Sequence, residues 1–122
     1  MAWDILNVSL AVSATSMSCQ DGSVTATVTV TGRTDASGEA NYFTASLRDD
    51  HFIPDILWDS GPQEVGSGET LKRCFEVDLW CNKRCKVVGP AGSSGEKTAE
   101  IYAHVLGGRR EGQSDNIPVT CI

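Results

Sequence analysis

The 122-residue sequence has no apolar run close to the roughly 20 residues that a membrane-spanning helix needs. It also has little positive charge, with ten Lys and Arg against sixteen Asp and Glu and a formal net charge of -6. The basic residues are scattered, whereas phosphate binding needs them clustered. We therefore expect no membrane span and no nucleic-acid partner.

Histidine is scarce as well, and neither of the two present is placed for catalysis. His104 stands between Ala103 and Val105, so we expect a solvated side chain on the outer face of a strand. His51 lies in RDDHFIPD, whose acidic residues could bind a hard cation such as calcium. That segment lacks the regular spacing of a calcium loop, which favours an ordinary polar turn. We expect no catalysis, no cofactor and no metal site.

No segment has a sustained helical period, and a period of two dominates instead. From Val24 to Thr31 every second residue is threonine, the pattern of a strand with one face in a core and one in water. Stretches rich in Gly, Ser, Asp and Pro separate such segments. The pattern predicts an all-β fold, one antiparallel β-sandwich over residues 1–122. Its seven strands cover about 4–17, 23–32, 41–48, 55–60, 70–80, 97–107 and 115–122.

Three stretches combine hydrophobic alternation with glycine-rich turns: GSVTATVTVTG, GSGETLKRCFEVDL and AEIYAHVLGGRREGQSDN. With them the chain resembles immunoglobulin-like and fibronectin-III-like modules, most of all the bacterial and archaeal cell-adhesion-related CARDB type. The resemblance implies an extracellular adhesion or spacer module without catalysis. Residues 80–97, which contain two cysteines, depart from the family pattern.

Five cysteines in so small a domain indicate an oxidising compartment, so we expect Met1 to stand in place of a removed leader. Successive antiparallel strands alternate in direction, which should bring four cysteines to one pole of the sandwich: Cys19, Cys81, Cys85 and Cys121. We favour the disulfides Cys19–Cys121 and Cys81–Cys85, with crossed pairings open. Cys74 is out of phase with the core residues of its strand, and we expect a free or intermolecular thiol.

Two sets of loop residues are candidates for binding. Phe52, Ile53 and Pro54 are consecutive apolar residues at a loop tip, which suits a contact surface unless they fold back and cap the sandwich. The second set lies on loops of the opposite pole, where recognition loops of such sandwiches converge, and comprises Arg33, Arg109 and Arg110.

We therefore expect an extracellular or cell-surface structural or interaction module. Its partner would be another protein, or a second copy joined through an edge strand such as the long first strand. One alternative is a small-ligand or carbohydrate-binding module that uses Trp3, Trp58, Trp80 or the loops of the opposite pole. Another is an intracellular domain in which the four clustered cysteines hold a structural zinc ion.

Overall fold

The computed structural model describes residues 3–34, 41–65, 70–107 and 110–122. These residues form eleven β-strands and no helix. The strands are β1 Trp3–Val12, β2 Ser16–Met17, β3 Ser23–Thr34, β4 Asn41–Asp49, β5 Asp55–Val65, β6 Thr70–Cys81, β7 Val87–Gly89, β8 Gly92–Ser93, β9 Thr98–Gly107, β10 Arg110–Gln113 and β11 Ile117–Cys121. Nothing in the described part of the chain forms a helix that could cross a membrane.

The strands build two sheets that together form a β-sandwich. The first sheet has the order β1-β3-β6-β7-β8, and the second has the order β2-β11-β9-β4-β5, with β10 also paired to β9. Among the described residues every strand pair is antiparallel except β2 with β11. The predicted all-β sandwich is confirmed, with more strands than the seven expected.

The first predicted strand is divided because the chain changes sheets. After Val12 the backbone leaves the first sheet, and Met17 is already paired with Cys121 in the second. At the crossing, Ser13 N donates to Thr25 O and Thr25 N donates to Ser13 Oγ, each at 2.9 Å. The predicted strand over 4–17 is thus two strands, one in each sheet.

Further strands come from segments that the sequence marks as turns. β7 and β8 lie between residues 80 and 97, and β10 lies within GGRREGQSDN. Between β10 and β11, Ser114 N donates to Ala103 O and Ala103 N donates to Ser114 Oγ, both at 2.9 Å. Between β10 and β11, the Ser114 hydroxyl therefore accepts the hydrogen bond that a backbone carbonyl would accept in a continuous strand.

The core consists of the apolar residues that alternate on the inner faces of the strands. In β3 the side chains of Val24, Ala26, Val28 and Val30 are buried, while the threonines between them are half-buried on the outer face. The neighbouring strand β6 and the strands of the facing sheet contribute Val77, Leu79, Phe43, Ala45, Leu47, Ile101, Ala103, Val105 and Val119. Burying each of the larger side chains stabilises the fold by about 1.5–3 kcal/mol relative to exposure.

Aromatic rings and backbone hydrogen bonds join the two sheets. Phe75 of the first sheet lies with its ring centroid 6.2 Å from Phe43 and 5.3 Å from Trp58 of the second. At the turn between β7 and β8, Ala91 N donates to Leu57 O at 2.8 Å. This contact closes one side of the sandwich beside the beginning of β5.

Candidate functional site

Two disulfides gather at one end of the sandwich, which we call the stapled pole. Cys19 is bonded to Cys85 and Cys81 to Cys121, with Cα separations of 5.0 and 6.0 Å. The four cysteines thus meet, but the favoured pairing Cys19–Cys121 and Cys81–Cys85 is wrong. Cys81 and Cys121 end strands β6 and β11 of opposite sheets, so their side chains meet across the core. Cys85 lies in the loop beyond β6 and bonds to the β2–β3 connection instead.

The loop that carries Cys85 is organised by Asn82. Asn82 Oδ1 accepts hydrogen bonds from the backbone N–H groups of Arg84 at 2.9 Å and Lys86 at 3.0 Å. Cys85 N donates to Asn82 O, and the φ of Cys85 is +59°, a left-handed conformation that few side chains adopt. The tight turn returns the chain to β7. Cys85 is bonded to Cys19, and not to Cys81 four residues earlier in the chain.

The fifth cysteine is outside this arrangement. Cys74 is exposed and free, on the outer face of β6, with Sγ 3.6 Å from Thr29 Oγ1. The other four sulfur atoms form two disulfide bonds, so they are not available as the thiolates of a four-cysteine zinc site.

Residues 94–97 connect the β4–β5 loop to both disulfides. Ser94 O lies 3.4 Å from His51 Nε2. Glu96 O accepts a hydrogen bond from Val87 N at 3.0 Å, two residues beyond Cys85, and Lys97 O accepts one from Cys121 N at 2.9 Å. The β4–β5 loop, residues 50–54, therefore belongs to the stapled pole, and we call it the Phe52 loop.

The Phe52 loop has a fixed base and a solvent-exposed apolar tip. Asp50 N donates to Glu100 O at 2.8 Å, and Asp50 Oδ2 accepts from Asn116 Nδ2 at 2.7 Å. Phe52 is 103% exposed and Ile53 is 78% exposed, whereas Pro54 is half-buried. The two large side chains project into solvent and do not cap the core.

Other exposed apolar residues lie near the same pole. Trp80 and Ile122 are adjacent in sequence to the bonded cysteines Cys81 and Cys121, and Ile56 is the second residue of β5. Among the described residues, the remaining large exposed apolar side chains are Tyr42 and Leu106, at the opposite end of β4 and β9. Exposed apolar surface is thus concentrated at the stapled pole.

Beneath the Phe52 loop, carboxylates surround His51. Asp49 ends β4, is 1% exposed, and lies directly opposite Asp55 of β5 in the strand register. His51 Nε2 is 2.8 Å from Asp49 Oδ2, 3.7 Å from Asp55 Oδ2 and 3.8 Å from Glu96 Oε1. Like charges opposite each other on neighbouring strands are destabilising unless a positive charge lies between them.

The surroundings of Asp49 and His51 favour retention of a proton. Burial raises the pKa of the Asp49 carboxyl above its usual value, although His51 and the Glu100 N–H oppose the shift. Desolvation acts to lower the pKa of His51, but attraction by Asp49, the Ser94 carbonyl, Asp55 and Glu96 outweighs it, so this pKa is raised. The two groups together hold a proton more readily than they would in water.

Two of the carboxylates beside His51, those of Asp49 and Asp55, belong to the acidic segment RDDHFIPD that the sequence marks, whereas Glu96 lies outside it. The signal for Asp49 is present, because Phe43, Ala45, Leu47 and Asp49 continue one alternation and put a carboxylate at an inward-facing position. Glu96 has no such signal, since it comes from a distant loop that only the fold brings close.

His104 is not solvated, contrary to expectation. It lies on β9 between Ser46 of β4 and Gln113 of β10 and is 9% exposed. Its Nε2 is 3.1 Å from Glu111 Oε1. The outer face of a strand with neighbours on both sides is covered by their side chains, and alternation along one strand does not reveal this.

The remaining candidates do not form a site in the described residues. Trp58 packs against Phe75, and Trp80 lies on the other sheet and is 40% exposed, so these two rings do not share a binding face. Arg109 and the side chains of Trp3, Arg33 and Arg110 lie outside the described parts of the structure.

Comparison with the known protein families gives no match, and comparison with curated proteins gives none either.

Proposed function

We propose that the protein is a non-catalytic, immunoglobulin-like interaction module that works outside the cell or on its surface and binds a protein partner through the stapled pole. The observation that carries the proposal is the Phe52 loop, whose two large apolar side chains are almost fully exposed on an anchored base. Exposed apolar side chains gathered at one place are typical of contact surfaces.

The order of the strands supports the immunoglobulin-like type. β1, β3 and β6 are neighbours in one sheet, and β11, β9, β4 and β5 are neighbours in the other. In lettered sandwich notation these are strands A, B and E against G, F, C and C′. The two disulfides are compatible with an oxidising, extracellular environment.

The chemistry around the loop favours a particular partner. Asp50, Asp55 and Glu96 border the apolar tip, so the loop presents Phe52 and Ile53 within a negatively charged surface. The complementary surface is an apolar pocket rimmed by Lys and Arg on another protein. An anionic lipid surface would repel these carboxylates, so a protein is the better binding partner for the Phe52 loop.

The anchored base also reduces the cost of binding. Hydrogen bonds from Asp50 to Glu100 and from Asn116 to Asp50 hold the first residue of the loop to β9 and to the approach to β11. A loop that is ordered before binding loses less conformational entropy on association. Phe52 can then act as the central anchor of the interface.

Site-specific crosslinking tests this proposal. A photo-crosslinking amino acid is placed at Ile53, or at Leu106 as a control at the opposite pole, and the tagged protein is returned to the cells that produce it. We expect one protein to be crosslinked from position 53 and not from position 106. Phe52→Ser should abolish that crosslink while changing the free energy of unfolding by less than about 0.5 kcal/mol, because the side chain makes little contact in the folded state.

The control substitution is Leu106→Ser, which removes an exposed apolar side chain far from the Phe52 loop. It should leave the crosslink from position 53 intact. Crosslinks to lipid only, equal crosslinking from both positions, or none from position 53 would each contradict the proposal.

A further inference from the structure

Three potential metal ligands converge under the Phe52 loop from two strands and the loop between them. Asp49 and Asp55 each supply a carboxylate oxygen, and His51 supplies a ring nitrogen. These three atoms lie within 4.8 Å of one another. A further carboxylate approaches from the β8–β9 connection, where Glu96 Oε1 is 3.8 Å from His51 Nε2.

One atom of this cluster is buried without a hydrogen bond. Asp49 Oδ1 accepts the backbone N–H of Glu100 at 3.0 Å, whereas Asp49 Oδ2 has no hydrogen-bond partner. His51 Nε2 lies 2.8 Å from Oδ2 as an ion-pair contact outside hydrogen-bond geometry, and it also lies 3.4 Å from Ser94 O. A buried carboxylate oxygen that lacks a donor is costly, and it is directed at the histidine nitrogen and the second carboxylate.

The distances match those required around a small cation. Ligand atoms about 2.0–2.1 Å from a tetrahedral zinc ion are about 3.3 Å apart. The separations from His51 Nε2 to the three carboxylate oxygens are 2.8, 3.7 and 3.8 Å, which bracket that value. Small side-chain rotations of Asp55 and Glu96, both partly exposed, would shorten the two longer separations, and a small movement of the His51 ring would lengthen the shortest one.

The donor set selects the class of metal. Calcium and magnesium prefer oxygen ligands alone, whereas an imidazole nitrogen with carboxylates suits zinc and other first-row transition metals. A doubly charged ion would also relieve the repulsion between Asp49 and Asp55, which are opposite each other in the strand register.

We propose that Asp49, His51, Asp55 and Glu96 form a binding site for a divalent transition-metal ion, with zinc the best fit. The ion binds the unprotonated Nε2 of His51, whose proton is released to water, and joins the β4–β5 loop to the β8–β9 connection at the stapled pole. This site does not depend on a partner for the Phe52 loop, because all four ligands belong to the chain itself.

The test uses Zn²⁺ alone, added to chelator-treated protein with its disulfides intact and with Cys74→Ser to remove the free thiol. Titration calorimetry should give one Zn²⁺ per chain and a weaker or undetectable response to Ca²⁺. The chain contains two histidines, so imidazole nitrogen NMR signals report on His51 and His104 separately. We expect the His51 signal to shift on addition of zinc and the His104 signal to stay unchanged.

Two ligand variants and one matched control complete the experiment. Asp49→Asn and the partly exposed Asp55→Asn should each weaken Zn²⁺ binding by more than about tenfold, since even second-shell changes commonly cost that much. Glu111→Gln alters the other His–Glu pair and should leave zinc binding unchanged. If Asp49→Asn does not fold, Asp55→Asn still decides the outcome.

Three results would overturn the site. They are the absence of saturable binding of one Zn²⁺, a His51 signal that zinc does not move, and unchanged affinity in Asp55→Asn. In each case the cluster is an Asp49–His51 ion pair only.

Discussion

Gly89 lies so close to Leu57 of the other sheet that there is no room for a side-chain methyl group. A Cβ built there would collide with the backbone carbonyl of Leu57, which is held by a hydrogen bond from Ala91 N. Neither the added Cβ nor the Leu57 carbonyl can move away without breaking the contact between the β7–β8 turn and β5. At Gly92, by comparison, the nearest atom to such a Cβ is Ile56 O at 3.3 Å.

We therefore predict that Gly89→Ala lowers the free energy of unfolding by about 1–3 kcal/mol, the usual cost of overpacking. Gly92→Ala, on the other side of the β7–β8 turn, should cost clearly less. Denaturant melts of both variants check this. Equal effects would show that the collision at Gly89 is relieved by a small backbone shift.

At the scale of single elements, the division of the first strand explains much of the architecture. β1 pairs along its length with β3 only, so its other edge has no partner among the described strands. β2 then continues the chain in the second sheet beside β11. An unpaired edge can accept a strand from a neighbouring molecule, and self-assembly through β1 remains the alternative to a separate partner.

Deletion of Met1–Leu6 tests that alternative. We predict a folded domain with reduced stability, because Val8, Leu10 and Val12 still cover the core and Met17 remains buried in the second sheet. Light scattering and thermal melting are the measurements. If β1 joins subunits, the deletion also abolishes oligomers that the parent forms. A parent that is monomeric at high concentration would remove the alternative.

At the scale of the whole molecule, the two disulfides make the stapled pole the most constrained end of the sandwich. They link residues 66 and 40 positions apart in the sequence. In the chain-entropy model each disulfide stabilises the fold by about 4 kcal/mol, because it restricts the unfolded chain. Native disulfides commonly contribute about 2–5 kcal/mol. The Cys81–Cys121 bond also fills space in the core, since Cys121 is fully buried.

We predict that replacing Cys81 and Cys121 by Ala destabilises the protein more than replacing Cys19 by Ala and Cys85 by Gly. Glycine is chosen at position 85 because its φ of +59° strains other residues. Thermal melts compare the two variants, and non-reducing peptide mapping of the parent should recover the linked pairs Cys19–Cys85 and Cys81–Cys121. Recovery of a Cys81–Cys85 peptide would contradict the turn over residues 82–86 that the Asn82 hydrogen bonds form.

The long strands, their buried faces and the end of the sandwich that holds the cysteines follow from the sequence alone. Alternation in segments such as Val24 to Thr31 determines the strands and their buried faces, because side chains of a strand point to opposite sides at each step. Strand direction then brings the four cysteines to one pole. The exposed position of Phe52 and Ile53 was one of two outcomes that the sequence left open.

Other features are decided only by the tertiary structure. Which cysteine meets which depends on the turn at Asn82, a local backbone conformation that leaves no hydrophobic pattern. The burial of His104 depends on the strands at its sides, and the cluster around His51 depends on Glu96 arriving from a distant loop. Periodicity reports only which side of a strand faces the core, whereas these contacts depend on where separate elements end in space.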